Sequence, residues 1–323
     1  MKAIVQDSYG SPDVLELRDI DRPTIGDDDV LLRVHAAGVD RGVWHLMTGL
    51  PYLIRIMGFG FRGPKVRVPG MEVAGRVETV GRNVTQFQVG DEVFGSCEGA
   101  YAEYACAKEG KLAAKPTNLT FEQAAAVPAS ACTAVEGLRD KGEVSAGQKV
   151  LIIGASGGVG TFAVQLAKEL GAEVTGVCST TKVEMVRSIG ADHVIDYKRD
   201  DFAQGPQRYD VILDIAGNRS LSHLRRALTP EGTLVIAGGE EGDRWIGGTD
   251  RQIRALLLSP FVRHRLRTFV STGRKEDLQL LKELIEAGKV TPVIDRTYPL
   301  NEVPEAIRYL EAGHARGKVV ITA

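Results

Sequence analysis

The sequence predicts a two-domain α/β protein in which one domain is a doubly wound parallel sheet. Three observations predict this fold class. The chain of 323 residues is long for one hydrophobic core. Strand and helix patterns alternate from residue 149 to residue 237, which is the order of parallel strands joined by crossover helices. The first 122 residues are instead rich in short strand patterns and turn signals.

The first region carries strand patterns followed by a helix start. Residues 30–36 alternate in side-chain character at a period of two, and residues 73–80 do so in part. Thr120 and Gln123 then form the pattern of a capping box, which marks the beginning of a helix. We therefore place the end of the first domain's N-terminal part at residue 122.

The second region alternates strands and helices. Its predicted elements are strand 149–153, helix 158–170, strand 173–178, helix 182–189, strand 193–196, strand 209–213, helix 220–228 and strand 233–237. An Arg-rich stretch near 251–265 is predicted to be helical. The tail adds helix 276–288, helix 303–312 and strand 318–322. This tail is predicted to complete the first domain, so the predicted domains are 1–122 with 266–323, and 123–265.

A glycine-rich turn joins the first strand of the second domain to its first helix. It reads Ala155-Ser156-Gly157-Gly158-Val159-Gly160, an A-x-G-x-x-G pattern. Strand, turn and helix start together direct backbone N–H groups and the positive end of the helix dipole at one point. A dinucleotide pyrophosphate fits there, because Gly157 and Gly158 carry no side chain and Gly160 lets the helix pack closely on the strand. An ordinary strand-to-helix turn is the alternative.

The end of the second strand of this domain predicts the form of the dinucleotide. Chains that bind NADH carry an acidic residue there, which accepts hydrogen bonds from the ribose 2′-hydroxyl. Here the segment Val177-Cys178-Ser179-Thr180-Thr181-Lys182 contains no carboxylate. Hydroxyl groups and a lysine suit a 2′-phosphate. We therefore predict NADPH rather than NADH; the alternative is that Lys182 is a solvated lysine at a helix start.

Composition and charge limit the function classes. Hydrophobic residues make up 43% of the chain and charged residues 25%, which is ordinary for a globular protein. The net charge of −2 predicts no basic surface for nucleic acid or an anionic membrane. No apolar run approaches the length of a membrane span, and residues 1–7 are predicted to form a strand rather than a signal peptide. The four cysteines include no C-x-x-C pair, which predicts free thiols and a cytoplasmic location.

A series of motifs in one order resembles the medium-chain dehydrogenase/reductase superfamily, in its zinc-independent quinone oxidoreductase-like branch. Besides the glycine-rich turn, the motifs are Ala37-Gly38-Val39, Pro69-Gly70-Met71-Glu72-Val73-Ala74-Gly75, Val89-Gly90-Asp91-Glu92-Val93, Gly99-Ala100-Tyr101-Ala102-Glu103-Tyr104, Thr133-Ala134, Gly190-Ala191-Asp192 and residues 313–320. The resemblance covers both domains. It implies a GroES-like β-barrel catalytic domain, a Rossmann domain that binds NADP(H), and a homodimer or a tetramer.

The resemblance also implies which residues bind the cofactor. Thr133 is expected at the nicotinamide end, with a plain helix hydroxyl as the alternative. Lys318 is expected to contact the cofactor, with an exposed strand lysine as the alternative. The other implied residues are Ser156, Gly157, Gly158 and Val159 at the pyrophosphate, Ser179, Lys182 and Tyr197 at the 2′-phosphate, and Gly217 and Gly238 in loops over the ribose and nicotinamide.

Zinc-containing relatives hold a catalytic ion with three ligands, and the matching positions here predict that no metal is bound. These positions are Asp40, Met71 and Ala129. Asp40 is able to ligate zinc, whereas a methionine is a poor zinc ligand and an alanine is none. The four-cysteine structural-zinc lobe is missing as well, because Cys97 and Cys106 stand alone.

The absence of zinc changes the predicted chemistry. Zinc stabilises an alkoxide as a Lewis acid, so without it hydride transfer to an already electrophilic quinone or enone is easier. The resemblance places Asp40 near the nicotinamide ribose and His45 beside the acceptor. We expect Asp40 to hold ribose hydroxyls and His45 to donate a hydrogen bond or a proton to the acceptor oxygen. A core role for His45 is the alternative, and Tyr52 is a further candidate donor.

The apolar segment 50–61 is predicted to roof a wide hydrophobic acceptor pocket, or alternatively to pack as a core helix.

The predicted function is that of an NADPH-dependent, zinc-independent oxidoreductase that transfers hydride to a quinone or other conjugated carbonyl. The alternatives are an enone or enoyl double-bond reductase of the same family, and a low-turnover NADPH-binding redox sensor.

Overall fold

The chain divides into two compact units. A computed structural model describes residues 1–239 and 243–323. Unit 1 comprises residues 1–132 and 273–323, and unit 2 comprises residues 133–272. The C-terminal segment therefore belongs to the same unit as the N-terminal region.

Strands and helices account for most of the described residues. The strands are β1 (Lys2–Val5), β2 (Glu16–Asp19), β3 (Asp29–Val39), β4 (Glu72–Val80), β5 (Glu92–Ser96), β6 (Tyr104–Lys108), β7 (Leu112–Ala114), β8 (Lys149–Ile153), β9 (Glu173–Cys178), β10 (His193–Asp196), β11 (Tyr209–Asp214), β12 (Leu228–Ile236), β13 (Arg265–Thr268), β14 (Ile294–Pro299) and β15 (Lys318–Thr322). The α-helices are α1 (Arg41–Thr48), α2 (Phe121–Ala125), α3 (Pro128–Val135), α4 (Gly158–Glu169), α5 (Val183–Ser188), α6 (Leu221–Arg226), α7 (Thr249–Leu258), α8 (Lys275–Glu286) and α9 (Val303–Glu311).

Short segments of 3₁₀ helix and π-helix complete the secondary structure. The 3₁₀ turns are Pro12–Val14, Glu109–Lys111, Thr180–Lys182, Ser259–Phe261 and Leu300–Glu302, and the π-helical turns are Arg55–Phe59 and Glu136–Lys141. Within the described residues, no helix is both long enough and apolar enough to cross a membrane.

Unit 2 is built on a six-stranded sheet in the order β10-β9-β8-β11-β12-β13. All neighbouring strands in it are parallel. Leu151, Ile212 and Leu234 from three adjacent strands are fully buried in its core. The strand order reverses between β8 and β11, and the carboxyl ends of the strands at such a reversal form the ligand-binding crevice of doubly wound sheets. The predicted doubly wound parallel sheet is confirmed.

Unit 1 contains a two-stranded sheet, β1-β2, and a larger seven-stranded sheet. The larger sheet has the order β14-β15-β3-β4-β5-β7, with β6 also paired to β3. Its neighbours are antiparallel except for β14 and β15. Because β15 pairs with β3, the C-terminal strand lies in the same sheet as strands of the N-terminal region.

The capping box predicted at the start of α2 is present. The Thr120 side chain accepts a hydrogen bond from the Gln123 backbone N–H, and the Gln123 side chain accepts one from the Thr120 N–H. Two backbone donors that have no partner inside the helix are thereby satisfied.

The predicted helix over 251–265 is wrong in its second half. Helix α7 ends at Leu258, and Arg265–Thr268 is the edge strand β13. An edge strand needs little burial, and here only Leu266 is buried, so the arginines around it hide the strand pattern. The predicted boundary at 265/266 cuts into this strand, and unit 2 continues to residue 272. The N-terminal boundary likewise lies later, at 132/133 rather than 122/123.

Candidate functional site

The glycine-rich turn between β8 and α4 is shaped by close backbone contacts. Gly154 has a φ of 91°, in the region that favours glycine. A Cβ atom at Gly160 would lie 2.1 Å from the Gly154 carbonyl oxygen, whereas one at Gly157 would meet that oxygen at 3.5 Å. Gly160 is therefore the position that requires glycine for the packing of α4 against the turn.

The start of α4 has the properties of an anion site. Its N-cap, Gly157, contributes no side-chain hydrogen bond to the first turn. The first N–H groups of a helix have no partner inside the helix and carry the positive end of its dipole. A pyrophosphate therefore fits beside Ser156, Gly157, Gly158 and Val159.

The residues predicted at the 2′-phosphate lie at the carboxyl ends of two adjacent strands. Cys178 of β9 is in register with Asp196 of β10, so Ser179 and Tyr197 follow at the same level. The Tyr197 N–H donates to the Cys178 carbonyl at 3.1 Å. Lys182 begins α5 just beyond β9. The structure thus brings Ser179, Lys182 and Tyr197 to one edge of the sheet.

Two arginines at this edge were not found by sequence reasoning. A hollow of about 320 Å³ is lined by Thr180, Arg187, Asp196 and Arg199, among others. The Thr180 hydroxyl donates to the Asp196 carboxylate at 2.6 Å, and this hydrogen bond is the main cause of a lowered pKa of Asp196. Arg199 Nε lies 3.5 Å from the same carboxylate. Asp196 is the last residue of β10 and Arg199 lies three residues beyond it, and this position at the carboxyl end of a strand is the signal that could have identified both residues.

A buried ion pair connects the loops that follow β11 and β12. Arg251 Nη1 lies 2.5 Å from Asp214 Oδ2 and also donates to the Arg219 carbonyl, and Nη2 donates to the Gly238 carbonyl at 2.9 Å. Asp214 Oδ1 accepts from the Gly217 N–H at 3.1 Å. Burial raises the pKa of the Asp214 carboxyl, although Arg251 opposes this effect. Both loop glycines predicted over the nicotinamide end therefore contact one buried pair.

Gly238 marks a close approach between these two loops. A Cβ atom there would lie 1.8 Å from the Ile215 carbonyl oxygen, so any side chain would collide with backbone. The Gly238 N–H also donates to the Asp214 carbonyl at 3.2 Å. This contact and the Arg251 guanidinium define the path of both loops.

Asp40 begins α1 in unit 1 and has one oxygen without a partner. Its Oδ1 accepts from the Val43 N–H at 3.0 Å, which makes it the N-cap of the helix. Its Oδ2 is buried and, among the described residues, accepts no hydrogen bond. A buried acceptor without a partner is costly, and a ribose hydroxyl is a donor that fits it.

His45 lies in the same helix and has a defined tautomer. Its Nδ1 is 2.7 Å from the Leu50 carbonyl oxygen. Since a carbonyl only accepts, Nδ1 carries a proton, and a neutral ring then presents an acceptor at Nε2. Donation to an acceptor oxygen, as predicted, therefore requires the doubly protonated ring. Tyr52 is half-buried, with the Arg55 guanidinium 4.8 Å from its ring centroid.

Comparison with known proteins agrees with this architecture. Residues 26–117 match the alcohol dehydrogenase GroES-like domain, and residues 189–321 match the zinc-binding dehydrogenase model. The chain is 35% identical to the 2-methylene-furan-3-one reductase of Solanum lycopersicum and 35% identical to the NADPH-dependent alkenal/one oxidoreductase of Arabidopsis thaliana, in each case over 99% of this chain and 79% of the relative. The solved quinone oxidoreductase of Coxiella burnetii superposes with a TM-score of 0.87 at 28% identity, covering 100% of this chain and 99% of that one.

The chain belongs to the medium-chain dehydrogenase/reductase superfamily. Within it, the chain is quinone oxidoreductase-like. The predicted family is thus confirmed, as is the predicted combination of a GroES-like domain with a Rossmann domain.

The three positions that hold zinc in other members of the superfamily lie close together here. Met71 Cε and Asp40 Oδ1 both approach the point where a Cβ of Gly42 would stand, at 2.6 and 2.9 Å. The Ala129 N–H donates to Glu72 Oε1 at 2.8 Å. A thioether, a methyl group and one carboxylate do not form a zinc ligand set. In the described part of the chain, no cluster of three or more His, Cys, Asp or Glu residues is placed to hold a metal ion.

Lys318 is not the exposed strand lysine that was considered as an alternative. It is 2% exposed, and its ammonium group pairs with the fully buried Glu72 carboxylate. Burial raises the pKa of Glu72 to about 7; Lys318 opposes the rise and Asp40 adds to it. Tyr101, fully buried nearby, donates to the Gly38 carbonyl at 3.1 Å. Glu72 and Tyr101 lie in two of the family motifs, but only the fold shows that they share one buried cluster.

Proposed function

We propose that this protein is an NADPH-dependent oxidoreductase that transfers hydride to a quinone or another conjugated carbonyl acceptor. The observation that carries the proposal is the glycine-rich turn, where Gly160 packs against Gly154 and the start of α4 is left without a side-chain cap. Membership of the superfamily and the names of its NADPH-dependent and quinone-reducing relatives support it.

NADPH, when bound, supplies the hydride. We assign its pyrophosphate to the start of α4 and its 2′-phosphate to Ser179, Lys182 and Tyr197, and we add Arg199 to that set. Two observations support the phosphate assignment. The strand β9 ends without a carboxylate, and the carboxylate of Asp196 is already engaged by Thr180. Thr133 and Lys318 remain predicted cofactor contacts.

We further propose that the reaction proceeds without a metal ion. The residues at the zinc positions cannot supply three ligands. Negative charge that develops on the acceptor oxygen would then be stabilised by hydrogen-bond donors. A doubly protonated His45 and the Tyr52 hydroxyl are the proposed donors, and Asp40 Oδ2 is the proposed acceptor for a ribose hydroxyl.

Reduction of an enone double bond is the second candidate function. The names of the tomato and Arabidopsis relatives favour it, since both describe reduction of conjugated carbonyl compounds. The two functions differ in the atom that receives hydride. With hydride and one proton a quinone yields a hydroquinone, whereas an enone takes hydride at its β-carbon and a proton at its α-carbon and yields a saturated carbonyl.

An acceptor panel tests the proposal. We expect loss of NADPH absorbance with quinones or with enones, and little with NADH. Product analysis then separates hydroquinone from saturated carbonyl. Binding of NADPH without consumption by any acceptor would contradict the enzyme proposal and favour the redox sensor.

Substitution of Lys182 tests the cofactor assignment. Loss of a charged hydrogen bond to a phosphate costs roughly 1.5–3 kcal/mol, which corresponds to a roughly 10- to 100-fold higher KM for NADPH in Lys182→Ala. The KM for NADH should stay unchanged. Lys168→Ala, in α4 and paired with Asp192, is the matched control. Equal effects of Lys182→Ala on the two cofactors would refute the assignment.

Substitution of His45 tests the proposed proton donor. His45→Gln keeps a group that can donate to the Leu50 carbonyl but cannot carry the second proton. We expect a lower rate and a pH profile that differs from that of the wild type. A rate and a pH profile identical to those of the wild type would remove His45 from the mechanism.

We also propose a cytoplasmic homodimer. All four cysteines are free thiols, which suits a reducing compartment. β13 is an edge strand of its sheet, and such an edge offers unpaired backbone groups to a second copy. Light scattering at several protein concentrations tests the dimer, and a constant monomer mass would contradict it.

A further inference from the structure

The apolar segment that is predicted to roof the acceptor pocket also carries large side chains that are exposed to solvent. We call residues 50–67, between α1 and β4, the apolar loop. Five of its large apolar side chains are exposed to solvent, namely Val66 (38%) and four that we call the apolar tip: Ile56 (73%), Met57 (67%), Phe59 (45%) and Phe61 (73%). Contiguous exposed apolar side chains of this kind mark interaction sites. The predicted core-packing helix is therefore wrong for the tip.

The base of the apolar loop is held to the rest of unit 1. The Tyr9 hydroxyl contacts the carbonyls of Phe59 and Gly60 at 3.0 and 2.7 Å. The Arg55 guanidinium donates to the Gly49 carbonyl at 2.9 Å and lies 4.4 Å from the centroid of the Tyr9 ring. The tip is thus presented on a fixed base rather than on a free strand of chain.

The charged side chains of the chain segment that carries the tip all have one sign. Residues 41–71 contain Arg41, Arg55, Arg62, Lys65 and Arg67 and not one Asp or Glu, although the whole chain has a net charge of −2. Arg67 pairs with Asp7. Arg62 and Lys65 are exposed and, within residues 1–239 and 243–323, form no ion pair. The net charge of the whole chain hides this local basic region.

We propose that the apolar loop docks on the surface of a membrane that contains anionic lipids. The tip would enter the boundary between headgroups and acyl chains, and Arg62 and Lys65 would contact the headgroups, the combination that holds interfacial segments on such membranes. A stable protein partner needs roughly 800 Å² of surface on each side, which a tip of four side chains does not offer. A lipid surface needs no such flat, complementary face.

Vesicle sedimentation with the full-length protein tests this proposal. We expect it to pellet with vesicles of phosphatidylcholine and phosphatidylserine, less with phosphatidylcholine alone, and less at high salt. Arg62→Gln/Lys65→Gln should weaken binding to the anionic vesicles roughly 30-fold. Phe59→Ser/Phe61→Ser should weaken it roughly 10-fold or more.

The matched control is Val89→Ser, which removes an exposed apolar side chain (65%) beside Asp91 and Glu92. It should bind as the wild type does, and thermal unfolding checks that each variant is folded. If the Phe variant unfolds early, the Arg62/Lys65 variant still decides the question. The proposal is overturned if the wild type stays in the supernatant, if both vesicle types bind it equally, or if the Arg62/Lys65 variant binds as well as the wild type.

Discussion

Two buried ion pairs, one in each unit, differ in what surrounds them. In unit 2 Asp214 accepts from the Gly217 N–H and Arg251 donates through both Nη atoms to two carbonyls, while Arg251 Nε has no hydrogen-bond partner among the described residues. In unit 1 the Glu72–Lys318 pair also has a backbone partner, the Ala129 N–H, but a second carboxylate, Asp40, lies nearby, and one oxygen of Asp40 has no partner among the described residues.

This difference suggests different roles for the two pairs. The pair in unit 2 holds two loops in place, and removal of Arg251 would leave the buried Asp214 carboxylate without its cation. The charged form of the pair in unit 1 is less favourable. Glu72 is fully buried, and burial together with the nearby Asp40 carboxylate raises the pKa of Glu72 to about 7. The Glu72 carboxylate can therefore take up a proton and lose its charge near neutral pH. Four predictions test this contrast.

Removal of the cation in unit 2 should have the largest effect. Arg251→Met leaves Asp214 buried without its partner, and we expect the free energy of unfolding to fall by about 3–5 kcal/mol. The control is Arg254→Met, which removes an exposed arginine paired with Asp250 and should cost less than about 1 kcal/mol. Urea unfolding measures both. Equal effects of the two substitutions would contradict the proposed role of Arg251.

The pair in unit 1 should make stability depend on pH. The pKa of Glu72 rises from 4.5 to about 7 on folding, so between these values the folded state binds more protons than the unfolded state. The contribution of Glu72 to the free energy of unfolding should therefore be largest below about pH 4.5. It should decline as the pH rises to about 7, by an amount on the order of 1–3 kcal/mol. Glu72→Gln/Lys318→Met, which removes both charges, should lose this component. If the free energy of unfolding depends on pH in the same way in the wild type and in the double variant, this role of Glu72 is contradicted.

Removal of the cation in unit 1 should cost less than the equivalent change in unit 2. In Lys318→Met the Glu72 carboxyl can take up a proton instead of remaining charged. We expect a loss of about 1–2 kcal/mol at pH 6, increasing with pH as the proton becomes harder to keep. Urea unfolding at pH 6 and pH 8 measures the change. A loss as large as that of Arg251→Met, or one independent of pH, would make the two pairs equivalent.

The smallest effect is expected at Asp40. Asp40→Asn keeps the cap on the Val43 N–H, so stability at pH 5 should change by less than about 0.5 kcal/mol. Loss of the negative charge should lower the pKa of Glu72, so that the decline in stability ends at a lower pH. Asp40→Ala, which also removes the cap, should cost about 1 kcal/mol. An unchanged pH profile in Asp40→Asn would show that Asp40 does not act on Glu72.

The sequence was most informative where structure is local. The strands 149–153, 173–178 and 193–196 are observed with the predicted bounds. The first two are buried parallel strands, which appear in a sequence as short apolar runs between turn signals. The edge strand β13 was not predicted, and only its first residue, Arg265, was placed in a helix, because its alternating arginines lack that apolar signal. The capping box at Thr120 was predicted correctly because its two partners are three residues apart.

The ion pairs illustrate what sequence reasoning could not reach. Arg251 is 37 residues from Asp214 and Lys318 is 246 residues from Glu72, and no local pattern connects residues at such separations. Lys318 follows Gly317 at the start of a strand, a place where most lysines are exposed, and only the sheet shows that it is buried beside Glu72. The unpaired oxygen of Asp40 is likewise a property of the folded environment.

Hydride transfer without a metal is the claim on which the functional account depends. The most direct test measures NADPH oxidation with a quinone or enone acceptor before and after exhaustive dialysis of the protein against a zinc chelator. We predict the same rate in both samples and no increase when zinc is added back. A rate that disappears on dialysis and returns with zinc would contradict the account.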